Sequence, residues 1–196
     1  MFGRRFQNQF FAIMEKENLK GTFFTSRLIP QKEYSNEYIH LVEKIVDRFK
    51  ISDLVMKIDL INDNKRIEIL EIDFGIGGDY FETFICPLCY NYNFVDNYIN
   101  LMLGLEIDYN ISLLNELCFD YIYNVNKDKV MLVDYDKIYN VVNKYFSEYK
   151  VIEIKKQGSK VAYPRSNIDA AFGIIHNKKG LSNYEINVLF NQILCE

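Results

Sequence analysis

Residues 57–78, KIDLINDNKRIEILEIDFGIGG, open with Lys57, Asp59 and Ile61 on one side and Ile58 and Leu60 on the other, pass through the polar run Asn62-Asp63-Asn64-Lys65, and resume an extended pattern over 67–72. Two short strands around a turn rich in Asn and Asp are a β-hairpin signature. Such strands normally carry branched and aromatic apolar residues, yet this pair holds Asp59, Glu71 and Asp73, with Lys57 two positions before the first acid. Register decides whether those charges meet. A three-residue connection, Asp63-Asn64-Lys65, sets Asn62 opposite Arg66, Asp59 opposite Ile69 and Lys57 opposite Glu71, so that Asp59 and Glu71 become diagonal neighbours about 7–8 Å apart. An even-numbered connection turns Glu71 to the other face. We expect the odd one, because it gathers Lys57, Asp59, Glu71 and Asp73 together. A solvent-facing sheet edge whose acids bind nothing is the competing reading.

Clustered carboxylates suit a hard cation, and Mg²⁺ usually takes one or two of them together with substrate phosphates. Gly77 and Gly78, just beyond the second strand, free the backbone to approach an anion closely. The order Lys-x-Asp, short hairpin, Glu-x-Asp, Gly-Gly resembles the metal-binding hairpin of the ATP-grasp ligases, in which a first acid is followed by Glu-x-Asn on the next strand. Residues 77–104 are similar to that family's helical pair behind the metal strands. The stretch ending in SNIDAAFGIIHNKKGLSNYEI (166–186) resembles the small C-terminal sheet domain of its carbamoyl-phosphate-synthetase-like and biotin-carboxylase-like members.

The resemblance implies an α+β chain. Residues 1–108 would be the C-terminal half of an ATP-grasp module, an antiparallel sheet flanked by helices, and 109–196 a small α+β module. It also implies ATP and one or two Mg²⁺ ions, with Mn²⁺ as an alternative, the metal being held by Asp59, Glu71 and Asp73. Lys57 would face the transferred phosphoryl group as the catalytic and nucleotide-binding cation. Gly77 and Gly78 would turn N–H groups toward phosphate or substrate. Asp73 stands where relatives carry Asn, and Gly75 where many carry Arg. The implied reaction is carboxylate–amine (or –thiol) ligation through an acyl phosphate, on small-molecule carboxylate and amine substrates. The family's adenine pocket and phosphate-binding lysines lie upstream of the part this sequence resembles. The expectation is therefore half a site, inactive alone and completed by a companion chain or within a homo-oligomer. The alternatives are a non-catalytic ATP-grasp remnant serving as a ligand- or protein-binding module, and a plain α+β interaction domain.

Composition narrows the field. The chain has 196 residues, 49% hydrophobic, enough for one substantial core or two small ones. A net charge of −4 and a pI near 5.3 argue against nucleic acid, which favours a basic surface. No apolar run reaches membrane-spanning length, the start MFGRRFQNQFF is too short and polar for a signal peptide, and four Cys without a regular framework suit reduced thiols in a cytoplasmic setting.

In chain order, residues 6–14 and 23–29 read as strands, with the charged run 15–20 between them. Ser35 caps a helix whose stripe is Tyr38, Leu41, Val42, Ile45, Val46 and Phe49. Residues 80–88 read as a helix ended or kinked by Pro87, and 94–103 as a second one stopped by Gly104. Strands follow at 117–125 and 130–133, then a helix over 135–149, a hairpin of 151–154 with 159–162 across Gln157-Gly158, and a strand over 170–175. Ser182-Asn183-Tyr184-Glu185 is a capping box for the last helix. The pair Cys86 and Cys89 lacks a second pair of zinc ligands, since Cys118 and Cys195 are distant in sequence, and reads as small buried side chains. His40 and His176 stand in no triad context and read as structural.

Overall fold

β1 (Ile13–Asn18) and β2 (Thr25–Gln31) form an antiparallel pair, and β2 continues sideways onto β5 (Leu117–Ile122) through Arg27↔Asp120 and Leu28↔Phe119. β9 (Phe172–Asn177) and β7 (Tyr149–Glu153) complete a five-stranded antiparallel sheet in the order β1-β2-β5-β9-β7. The first strand runs on through the charged segment 15–18, beyond the expected end at Met14; residues 6–12 of the expected strand lie outside the described residues. Its position explains the charge: β1 is an edge strand, where acids and lysines discourage further pairing. The computed structural model describes residues 13–32, 35–51, 54–63, 66–77, 80–108, 111–177 and 180–196.

The chain divides into two units: Lys32–Leu114, and Ile13–Gln31 together with Asn115–Glu196. The second is discontinuous because β2 hydrogen-bonds β5. The expected boundary at 108/109 left the first two strands with the N-terminal part, whereas the sheet groups them with the C-terminal part.

In that second unit, α4 (Tyr135–Tyr145) and α5 (Asn183–Leu194) supply the apolar side chains that pack with the sheet. Ile122, Ile138, Val142, Phe172, Ile174, Ile186 and Phe190 are all completely buried in one core. Asp134 caps α4 by accepting from the Lys137 N–H, and Ser182 with Glu185 forms the expected capping box of α5. α4 ends at Tyr145, four residues early, because Tyr149 already pairs with His176 as the first residue of β7. The expected 151–154/159–162 hairpin does not form. β7 pairs with β9, while β8 (Lys160–Val161) pairs with β6 (Met131–Leu132). Gln157-Gly158 still makes a bend, with Gly158 at φ +76°.

In the other unit, α1 (Asn36–Phe49) buries Ile45 and half-buries Tyr38, Leu41, Val42 and Val46 of its predicted stripe, while Phe49 is exposed. β3 (Met56–Asn62) and β4 (Ile67–Phe74) form a separate two-stranded sheet. A π-helical turn (Phe81–Ile85) runs directly into α2 (Cys86–Tyr90), so Pro87 sits in the first turn of a helix, where its missing N–H is harmless, rather than ending one. α3 (Phe94–Leu103) starts at the Asn93 cap and stops at Gly104, which takes φ +68°. Among the described residues no helix is long and apolar enough to cross a membrane.

Candidate functional site

Near its open end the hairpin pairs Lys57 with Asp73, Ile58 with Ile72 and Asp59 with Glu71; nearer the turn it pairs Leu60 with Ile69, Ile61 with Glu68 and Asn62 with Ile67. The change of register leaves Leu70 as an extra residue, 63% exposed. Residues directly opposite in an antiparallel pair share a face. Lys57, Asp59, Glu71 and Asp73 therefore stand together, and Met56, Ile58, Leu60, Ile67, Ile69, Ile72 and Phe74 occupy the reverse. The pairing itself differs from the expectation. The connection is four residues long, 63–66, closed by the Arg66 N–H donating to Asp63 Oδ1 at 3.0 Å. A regular ladder with that connection would turn Glu71 and Asp73 away from Asp59; the bulge at Leu70 turns them back.

Lys57 and Asp59 are half-buried, and Glu71 and Asp73 are exposed. Lys57 lies opposite Asp73 and two residues from Asp59 on the same face. The acids lie side by side without converging. Among the described residues, the one group of three Cys, His, Asp or Glu side chains whose ligand atoms all lie within 4.8 Å of one another is elsewhere, at Cys118, Asp120 and His176.

Gly77 does not present a free N–H as expected: it donates to Oε1 of the buried Glu82 at 2.7 Å, which ties the loop to the π-helical turn. Gly78 lies outside the described residues. Gly75 adopts φ +111°, and a Cβ there would meet the Tyr98 hydroxyl at 3.5 Å; an L-residue is strained in that conformation, which accounts for glycine here.

No protein-family model matches the sequence, and no curated protein matches it. Its structure does match solved ones. L-amino acid ligase from Bacillus licheniformis aligns with a TM-score of 0.66 at 16% identity over 94% of this chain and 48% of that one. Phosphoribosylglycinamide synthetase from Anaerococcus prevotii gives 0.62 at 10% identity over 93% and 48%. The phosphoribosylaminoimidazole carboxylase ATPase subunit from Aquifex aeolicus gives 0.58 at 10% over 95% and 51%. The chain has an ATP-grasp fold. It spans about half the length of the ATP-grasp structures it matches.

Elsewhere in the chain, His40 is exposed and touches Glu43 at 3.2 Å. Cys86 and Cys89 are buried free thiols, and burial pushes the Cys86 thiol well up. The two thiols are the small buried side chains expected, and His40 faces solvent.

The feature sequence reasoning missed is a charged interior in the five-stranded sheet. Asp120, fully buried, receives Arg27 Nε on Oδ1 at 2.6 Å and Arg27 Nη2 on Oδ2 at 2.8 Å. Asn183 Nδ2 also donates to Oδ1 at 2.9 Å, and His176 Nε2 to Oδ2 at 2.7 Å. The other ring nitrogen, Nδ1, donates to the Asn177 carbonyl at 2.8 Å. Both nitrogens thus donate, and the ring is an imidazolium. Burial lowers the His176 pKa, but hydrogen bonds to Asp120 and Cys118 outweigh it and raise the value to about 10. Burial likewise pushes the Asp120 carboxyl up, and its bonds from Arg27 and His176 prevail and hold it below the ordinary carboxylate range.

Beside this group, α5 buries Asn183, Asn187 and Asn191, one per four residues. Asn187 Oδ1 accepts from the Tyr123 N–H at 2.8 Å and Asn191 Oδ1 from the Val125 N–H at 2.9 Å. Their amide nitrogens donate to the Tyr121 and Tyr123 carbonyls. Four helical residues rise about 6 Å and two strand residues about 6.6–6.8 Å, so the helix acts as a substitute strand where β2 stops pairing. The signals were present as a lone acid in the apolar strand LCFDYI and as an Asn at every fourth position.

Proposed function

We propose that this chain is the C-terminal half of an ATP-dependent carboxylate–amine (or –thiol) ligase working through an acyl phosphate. The observation that carries the reading is the cross-strand pairing of Asp59 with Glu71 and of Lys57 with Asp73, on the fold shared with the ligases above. Asp59, Glu71 and Asp73 offer hard oxygen ligands on an accessible face, which suits one or two Mg²⁺ ions, or Mn²⁺, better than any softer metal. When bound, the ion would neutralise phosphate charge. Lys57 would hold the transferred phosphoryl group as a point charge rather than a bidentate fork. The Gly77 N–H, committed to Glu82, fixes the loop and is not assigned to the phosphate. ATP and the carboxylate and amine substrates would need the rest of the fold, from the same polypeptide or a companion chain, and the setting would be the cytoplasm.

Calorimetry tests this. Mg²⁺-dependent nucleotide binding by the chain, weak and lost in Asp59→Ala and Glu71→Ala, supports it; nucleotide binding unaffected by either substitution refutes the assignment. The isolated chain should show no ligase turnover. A second reading, a non-catalytic remnant that binds a ligand or a protein partner, draws on the half-length match and on Gly75, where the strained backbone disfavours the arginine common in related ligases. Mg²⁺-independent binding would favour it.

A further inference from the structure

We propose that Cys118, Asp120 and His176 form a buried structural site for a divalent ion of the Zn²⁺ type, separate from the acid face of the hairpin. The three side chains come from two neighbouring strands by simple register. Cys118 and Asp120 are two apart on β5 and share a face, and His176 on β9 is the cross-strand partner of Cys118. Their ligand atoms all lie within 4.8 Å of one another. Sγ is 3.4 Å from Nε2, and Nε2 is 2.7 Å from Oδ2. A tetrahedral zinc with bonds of about 2.0–2.3 Å spaces its ligands roughly 3.3–3.6 Å apart; the Sγ–Nε2 edge already has that length, and the Nε2–Oδ2 edge would open by about half an ångström. The set of one thiolate, one imidazole and one carboxylate matches the donors zinc prefers, and it leaves a fourth position for water.

The outer contacts of a metal site are already in place. The Nδ1–H bond to the Asn177 carbonyl fixes the ring so that Nε2 points at the sulfur and the carboxylate, which is the usual support of a zinc-bound histidine. Asp120 is oriented by Arg27 on both oxygens and by Asn183 on Oδ1. Charge also balances. The two positive charges of Zn²⁺ would be met by the Asp120 carboxylate and the thiolate, and the protons displaced from Nε2 and Sγ would pass to solvent. The sulfur is the telling atom. It lies 3.4 Å from Nε2 and 3.6 Å from the His176 carbonyl, to which the thiol donates, in the most polar part of the interior. A nucleophilic triad does not fit the same atoms, because Sγ and Oδ2 both approach Nε2, whereas a relay uses opposite ring nitrogens. With all three side chains no more than 2% exposed and the Phe146 ring 4.6 Å from the imidazole, the role is structural.

The test uses the full chain, stripped with chelator and titrated with Co²⁺. One equivalent should bind with a thiolate-to-cobalt charge-transfer band and tetrahedral d–d bands, and Zn²⁺ should bleach both. Cys118→Ser should abolish the charge-transfer band, while Cys86→Ser/Cys89→Ser should retain it. Should Cys118→Ser fail to fold, the unsubstituted chain decides: free Zn²⁺ at 100 times its Kd should slow exchange of the β5 amides about 100-fold. No band, a band that depends on Cys86 and Cys89, or amide exchange indifferent to Zn²⁺ would mean an adventitious ion only and overturn the proposal.

Discussion

Replacing Asp120 by Asn in the chelated protein is the sharpest test of the charged interior. The substitution keeps the shape and removes the buried negative charge between Arg27, 5% exposed, and His176, 2% exposed, leaving Arg27 only the more distant, solvent-exposed Glu17 at 4.0 Å. Taking away one partner of a buried ion pair costs about 3–5 kcal/mol, because the remaining charge stays desolvated and unpaired. Against a total of about 5–15 kcal/mol for a folded domain, that is a large loss. Arg27→Met should cost less, about 1.5–3 kcal/mol for the lost charge-assisted bonds, since His176 still balances Asp120. The double variant should then be less destabilised than the sum of the two, because it no longer buries the guanidinium without its buried counter-charge. Native-state hydrogen exchange at the Tyr123 amide, itself bonded to Asn187, reads this unit alone. Additivity within about 0.5 kcal/mol, the behaviour of independent sites, would show that Arg27 and Asp120 are not coupled and refute the account.

Three further outcomes are expected. Gly173→Ala should destabilise the five-stranded sheet by about 1–3 kcal/mol, because a Cβ there collides with the Phe119 ring; Phe119→Leu should relieve much of the loss, and denaturant titration measures both. Cysteine pairs report the hairpin register: Asp59→Cys/Glu71→Cys and Lys57→Cys/Asp73→Cys should oxidise readily, whereas Asp59→Cys/Ile69→Cys should stay reduced. Hydrogen bonds from the Arg165 and Ser166 N–H groups hold the Asp169 carboxyl below its ordinary value. A carboxyl depressed on folding stabilises at pH above its unfolded value of about 3.9 and loses that contribution as pH falls through the folded one. Acid titration of stability should therefore be shallower at its low end in Asp169→Asn, and an unchanged profile would refute the capping role.

Where apolar periodicity governs, the sequence was readable. α1, α3 and α5 lie close to where they are expected, α5 with its capping box and α3 stopped by Gly104, though Ser35 stands at the α1 N-cap without a side-chain cap bond. The strands were harder, since a strand's partner is not local. The segment 151–154 looked like half of a hairpin because Gly158 is close by, yet β7 gains more by joining the buried β9 than by pairing across a short turn. The charged interior was illegible for the same reason: Arg27, Asp120 and His176 are 93 and 56 residues apart in sequence, and each alone looks like an ordinary polar residue. Cys118 and His176 were read as isolated, and register alone makes them neighbours.

The hairpin shows how a wrong intermediate step can leave a face unchanged. Counting from the turn, the even connection should have separated Glu71 and Asp73 from Asp59. Counting from the open end, Lys57 and Asp73 are already opposite. A strand must satisfy both ends, and one surplus residue reconciles them at the cost of a bulge. That residue is Leu70, whose side chain stays largely in solvent. Deleting Leu70 should therefore regularise β4 without turning any acid, since Ile69 would still face Leu60 and Glu71 would still face Asp59. Inserting one residue at the same point should disrupt the acid face. If Mg²⁺-dependent nucleotide binding survives the deletion and fails with the insertion, the acids act through their shared face. If both variants bind alike, the face is not what binds.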